Sequence, residues 1–235
     1  MSSYIVKNLN SLKTQIDSAC EACGRRAEDI TLVAVSKTFP DSDVLEAFNA
    51  GQFNFGENKV QEMIKKHDIL SQHKIKWHLI GHLQTNKVKY IADFVHLIHS
   101  VDTFKLALEI DKQAAKAKRR IDILVQVNTS DEMQKSGVEV DETKKLCNDI
   151  KQLENINLCG LMTIGKFTDE TDIIRDNFRT LKNLYDEIKP DFSNFNYLSM
   201  GVTSDFEIAI EEGANMLRIG SAVFGYRNYT NETTK

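Results

Sequence analysis

The feature that most constrains this chain is a rhythm. Eight short apolar runs, at residues 32–37, 53–55, 76–80, 95–98, 121–127, 158–164, 196–199 and 215–220, alternate with stretches of helical spacing. Runs this short, rich in β-branched residues and bounded by turn formers, read as strands buried on both faces. Helical patterns fall near 41–51, 60–70, 84–92, 141–152 and 172–189, with another ending near 120. A further one over 4–23 precedes the first strand, with Ile5, Leu9, Leu12, Ile16 and Ala19 on one face. Strand and helix in strict alternation predict parallel βαβ units, and eight of them close a ring. The expected fold is therefore α/β: a single (β/α)8 TIM barrel spanning residues 1–235, with an extra N-terminal helix in 1–24 and a polar tail at 226–235. An open doubly wound sheet would place a glycine-rich phosphate turn after its first strand. Here that turn reads Ser36-Lys37-Thr38.

Composition narrows the function classes. With 41% hydrophobic and 27% charged residues and a net charge of -4, the chain offers no electrostatic basis for binding nucleic acid. No run approaches membrane-spanning length and no apolar leader opens the sequence, which predicts a cytoplasmic protein. Cys20-Glu21-Ala22-Cys23 is formally a CxxC, but it lies in a helical pattern, and Cys147 and Cys159 form no second pair. The four thiols are read as small apolar fillers, with no metal site. Lys116, Lys118, Arg119 and Arg120 are read as the solvated last turn of a helix, where cations oppose the dipole.

The residues hardest to explain by packing sit at the carboxyl ends of the strands: Lys37, Asn58, His82, Asn128, Ser199 and Arg218. That end of a barrel is where sites are built. Alternation sets Val33, Val35 and Lys37 on one face, and Arg218 apart from Leu217 and Ile219. A buried arginine needs acceptors. The loop 199–207 precedes a helix, with Ser204 and Glu207 spaced as a capping box, and Gly220-Ser221-Ala222 offers further amides beside it. Loops after the seventh and eighth strands of a barrel commonly hold a phosphate. A lysine for an aldehyde, amides for a phosphate and an arginine for a polar ring edge together predict pyridoxal 5'-phosphate.

Several longer segments carry a resemblance. Val33-Ala34-Val35-Ser36-Lys37, Phe55-Gly56-Glu57-Asn58-Lys59-Val60-Gln61-Glu62, the run 77–87 beginning Trp77-His78-Leu79-Ile80-Gly81-His82, Lys135-Ser136-Gly137, Gly160-Leu161-Met162, Leu198-Ser199-Met200-Gly201 and Arg218-Ile219-Gly220 resemble the pyridoxal phosphate homeostasis proteins of YggS/PROSC type. The resemblance covers nearly the whole chain and implies the barrel of the alanine racemase N-terminal domain. It further implies that Lys37 forms the internal aldimine, Asn58 lines the ring pocket and Arg218 faces the pyridine nitrogen. Met200, Ser204, Gly220 and Ser221 would surround the phosphate. The wording Gly201-Val202-Thr203-Ser204 departs slightly from the family's, so Thr203 or Ser204 could supply the hydroxyl; the capping position favours Ser204.

Two functions from different classes follow. One is a cofactor carrier that buffers pyridoxal phosphate and delivers it, including transiently to dependent apoenzymes, and that is expected to be a monomer and not an enzyme. The other is an amino-acid racemase, which needs a second base opposite Lys37. Related racemases bring a tyrosine from a further domain, whereas this chain ends about ten residues past Gly225. His82 or Tyr197 is the internal candidate. An arginine beside the pyridine nitrogen also handicaps carbanion chemistry, because it will not hand over a proton. Lys135 is read as a solvated loop lysine, with a part in transfer as the lesser reading.

Overall fold

A computed structural model describes residues 3–130 and 136–225, and in it the eight expected strands close into one parallel ring. They are β1 (Thr31–Val35), β2 (Asn54–Glu57), β3 (Lys76–Leu79), β4 (Leu97–Val101), β5 (Ile121–Asn128), β7 (Ile156–Met162), β8 (Tyr197–Ser199) and β9 (Met216–Ile219). The ring runs β4-β3-β2-β1-β9-β8-β7-β5 and closes where β5 pairs with β4. A two-residue strand β6 (Val138–Glu139), which the apolar runs did not predict, lies beside the end of β5. Around the ring stand α1 (Tyr4–Ala22), α2 (Asp41–Asn49), α3 (Val60–Ile69), α4 (Phe104–Lys116), α5 (Val140–Ile150), α6 (Thr171–Ile188), α7 (Phe206–Glu211) and α8 (Ser221–Phe224).

Strand alternation builds two cores. Val33, Leu97, Leu124, Cys159, Met162 and Met216 fill the barrel interior. Their neighbours Ala34, Ile98, Ile123, Leu161 and Leu217 join the larger shell between strands and helices. Register sets Val33 opposite Arg218 across β1 and β9, so the arginine follows Met216 into the barrel.

The N-terminal helix has a structural reason. The last helix, α8, is only four residues long, too short to cover the seam between β9 and β1. α1 fills that place, burying Ile5, Leu9, Leu12, Ile16 and Cys20. Tyr4 Oη donates to the Phe224 carbonyl (2.7 Å) and Asn8 Nδ2 to that of Val223 (3.1 Å). Just past α1, Arg25 Nη1 donates to the carbonyls of Ile210 and Ala214. The segment thus braces α8 and the stretch from α7 into β9.

Four expectations are corrected. Residues 84–92 form no α-helix; Thr85–Tyr90 is a 3₁₀ segment in which Val88 is buried, with Ile91 buried just beyond. Three-residue spacing matches that tighter winding. Strand β4 runs through His99 and Ser100 rather than stopping before them, because both polar side chains are satisfied inside the barrel. The Ser204–Glu207 capping box does not form: α7 begins at Phe206, and Asp205 Oδ1 instead accepts from the Val202 amide at 2.6 Å. Finally, α4 ends at Lys116, so of the four basic residues only that exposed lysine stands in its last turn, and the two arginines lie past it. Arg119 Nη2 donates to the Val95 carbonyl and Arg120 Nε to that of Glu154, tying neighbouring loops together.

Cys20, Cys147 and Cys159 are buried and Cys23 is half-buried. Burial pushes the Cys147 and Cys159 thiols up to about 12, which makes them inert packing groups.

Candidate functional site

A cavity of about 1060 Å³ opens at the carboxyl ends of the strands. Its walls include Lys37, Asn58, His82, Asn128, Arg218, Gly220 and Ser221, together with Val202, Thr203 and Ser204. Thus five of the six strand-end residues singled out from sequence meet at one mouth, with both glycine-containing loops beside them. The sixth, Ser199, lies just beneath and is fully buried.

Each wall has a local cause. Val35 ends β1 and faces inward, so Lys37 emerges two residues later on the cavity side, half-buried. Asn58 follows β2 and packs closely against the turn after β3. A Cβ on Gly81 would lie 2.4 Å from the Asn58 carbonyl oxygen, so only glycine permits that approach. Thr203 and Ser221 join the two terminal loops directly, their hydroxyls 3.1 Å apart. Ser204 is exposed at the rim. Met200 stands apart: it does not line the cavity, its side chain is fully buried in the outer core, and its amide donates to the Met216 carbonyl.

Arg218 forms the floor. Its guanidinium is buried, donating from Nη1 to Ser199 Oγ (2.6 Å) and from Nη2 to the Thr163 carbonyl (2.8 Å). Burial lowers its pKa from 12.5 to about 10, so it remains a cation at neutral pH.

Beneath it runs a chain that sequence reasoning missed. His99 Nδ1 lies 3.1 Å from Ser199 Oγ, His99 Nε2 lies 2.9 Å from His78 Nδ1, and His78 Nε2 lies 3.1 Å from Asn54 Oδ1. The two ends set its direction. Asn54 Oδ1 can only accept, so His78 carries its proton on Nε2 and accepts at Nδ1. His99 must then donate from Nε2 and accept the Ser199 hydroxyl proton at Nδ1, leaving Ser199 Oγ to accept from Arg218. Every link is satisfied with both imidazoles neutral. Burial holds both histidines well below the usual imidazole pKa, in agreement. The chain ends at a small second cavity of about 80 Å³ at the strands' amino ends, lined by Asn54, His78, His96 and Tyr197 among others. Tyr197 therefore sits at the end of the barrel opposite Lys37 and cannot act as its second base. Lys135 lies outside the described residues.

The arrangement can hold a ligand bearing a carbonyl, an anion and a polar aromatic edge. It presents an amine, a hydroxyl-rich pair of loops and a buried cation around one cavity.

Comparison with known proteins agrees. The family model for the alanine racemase N-terminal domain matches residues 8–228. A pyridoxal phosphate homeostasis protein of Aquifex aeolicus is 42% identical over 95% of this chain and 98% of its own length. The solved structure of PipY from Synechococcus elongatus with PLP bound superposes with a TM-score of 0.82 at 31% identity, covering 94% of this chain and 100% of that one. A Clostridium difficile alanine racemase shares the fold alone, with a TM-score of 0.76 at 15% identity, and this chain spans 56% of it. A barrel whose strand ends gather Lys37, Asn58 and Arg218, matched over nearly its full length by such relatives, belongs to the pyridoxal phosphate homeostasis proteins, a branch of the alanine racemase N-terminal-domain family.

Proposed function

We propose that this chain binds pyridoxal 5'-phosphate at the barrel mouth and serves its homeostasis by holding and releasing it, rather than by catalysing racemisation. The observation that carries this reading is the convergence of the Lys37 amine, the buried Arg218 cation and the Thr203–Ser221 loop pair on one cavity. The residues present fit the group. Lys37 Nζ would condense with the aldehyde, forming C=N and releasing water, which requires the amine in its neutral form. Asn58 would flank the ring. Ser204, Gly220 and Ser221 would meet the phosphate with hydroxyls and amides, while Met200 would support those loops from the core. When bound, the cofactor supplies an electron sink for carbanion chemistry. Arg218 works against that use, since a group titrating near 10 donates a hydrogen bond to a ring nitrogen but does not surrender its proton at pH 7.

We further propose that the protein acts in the cytoplasm, as a single-domain monomer, and passes its cargo to apoenzymes. No helix among the described residues is long and apolar enough to cross a membrane. Borohydride reduction of the loaded protein followed by peptide mapping is the test. The label is expected on Lys37 and lost in Lys37→Ala. Sustained racemase turnover on alanine or serine, abolished by that substitution, would overturn the carrier reading.

A further inference from the structure

The turn that carries Lys37 is held in an unusual way. Lys37 and Thr38 are its central residues, closed by a Phe39 amide donating to the Ser36 carbonyl at 3.0 Å. Thr38 has φ 70°, left-handed backbone that a β-branched residue rarely adopts and that glycine ordinarily takes in such a turn. Backbone of this kind costs on the order of 1–3 kcal/mol and persists only where the surroundings enforce it.

The enforcement is visible beneath it. Lys66, on α3, is buried, and its ammonium donates to the Ser36 carbonyl (2.7 Å), to Glu57 Oε1 (2.7 Å) and to Glu62 Oε1 (2.9 Å). Three N–H groups meet three acceptors. Glu57 Oε1 also accepts from Ser36 Oγ at 2.6 Å, and Glu62 Oε1 accepts from the Thr38 amide. The peptide groups on both sides of Lys37 are therefore gripped by one cluster. The cluster is not arranged for stability alone: Glu57 Oε2 is buried without a hydrogen-bond partner among the described residues, and burial raises that carboxyl's pKa. An orphaned buried oxygen and a left-handed threonine at a single turn mark a position selected for something other than packing.

We propose that Lys66, Glu57 and Glu62 form a buried clamp that positions the Lys37 amine for condensation with an aldehyde, by holding the turn 36–39 in its left-handed form. These are positioning residues; none of the three lines the cavity. The inference rests on Lys37 being the condensing amine.

The test uses the full chain. Glu62→Ala releases the Thr38 amide and lets the turn relax. Because Glu62 is partly solvent-exposed, this variant is expected to fold. Two readouts are taken: the rate at which added pyridoxal phosphate becomes borohydride-trappable, and the reactivity of Lys37 toward an acylating reagent in cofactor-free protein, relative to surface lysines. Both are expected to fall at least fivefold. Thr38→Gly alone should stay within twofold of wild type, and added to Glu62→Ala it should recover at least half of the loss on a logarithmic scale, because glycine adopts φ 70° without help. A merely structural Glu62 would show no such rescue. Rates within twofold of wild type in Glu62→Ala, or no recovery with glycine, would overturn the clamp. Failure of the carrier reading itself is distinct: wild-type protein would then carry no trapped label at Lys37, whatever the variants do.

Discussion

Replacing Arg218 by methionine separates a residue kept for function from one kept for stability. Folding takes its guanidinium out of water, and the fall in its pKa from 12.5 to about 10 corresponds, at about 1.4 kcal/mol per pH unit, to roughly 3 kcal/mol spent on holding the charge. The folded value lies below the unfolded one, so this penalty is fully present at every pH under 10 and is relieved only as pH rises past it. Methionine removes the penalty while filling much of the same volume. Against this, the Thr163 carbonyl loses its donor, at about 1–2 kcal/mol, while Ser199 keeps its bond to His99. The cofactor-free variant should therefore lie between unchanged and about 2 kcal/mol more stable than wild type. For a chain of this size that is a rise of up to several degrees in Tm, at ~2–4 °C per kcal/mol. The assay is thermal and urea unfolding with and without pyridoxal phosphate, across about pH 6–9, where the difference should be flat. Added cofactor should raise the wild-type midpoint and leave the variant's nearly unmoved. A loss of about 3–5 kcal/mol, the usual result of breaking a buried charge pair, would refute the reasoning and make Arg218 structural.

Two further outcomes follow from the barrel itself. Gly160 pairs with Tyr197 at φ 149°, and a Cβ there would lie 1.8 Å from the Tyr197 carbonyl oxygen, so Gly160→Ala should cost more than about 4 kcal/mol or leave the protein insoluble; a soluble variant with a near-normal urea midpoint would contradict the β7–β8 contact. His78 and His99 are held neutral by burial, so the unfolded chain binds protons before the folded one does, and stability should fall as pH drops below about 6.5, by at most about 1.4 kcal/mol per pH unit for each histidine. His99→Gln should flatten that acid limb, measured as urea midpoint against pH; an unchanged slope would mean that His99 is not held neutral.

The ring of strands was legible because parallel strands buried on both faces read as unbroken apolar runs, and eight such runs leave few ways to pack. Lys37 and Arg218 were legible for a related reason. Each is a charge placed by strand alternation where packing alone would put a hydrophobe, and the cavity gathers both. Boundaries were harder. His99 and Ser100 looked like the end of the fourth strand because an imidazole and a hydroxyl are poor core residues unless partnered, and their partners, Ser199 and the Gly81 carbonyl, lie far away in sequence. The capping box failed for a local reason: Asp205, one residue on from Ser204, offers a carboxylate oxygen to the Val202 amide and so shifts the helix start.

What sequence could not supply was the interior chain, and its logic explains why. His78 and His99 stand 21 residues apart and His99 and Ser199 100 apart, so no spacing pattern unites them; only closure of the ring does. Once united, they do more than fill space. Arg218 needs an acceptor at Ser199 Oγ with a lone pair turned toward it, and that requires the serine proton to be engaged elsewhere. His99 engages it only while its Nδ1 is unprotonated, which in turn requires the Nε2 proton to go to His78, whose own Nε2 proton goes to Asn54. A single amide oxygen at the amino end of β2 thus fixes the hydrogen-bond polarity under a cation at the opposite end of the barrel. Protonating His78 at Nδ1 would set two N–H donors face to face, and protonating His99 at Nδ1 would turn Ser199 Oγ into an acceptor and take away the partner of its proton, so the burial that keeps both histidines neutral also preserves the relay beneath Arg218.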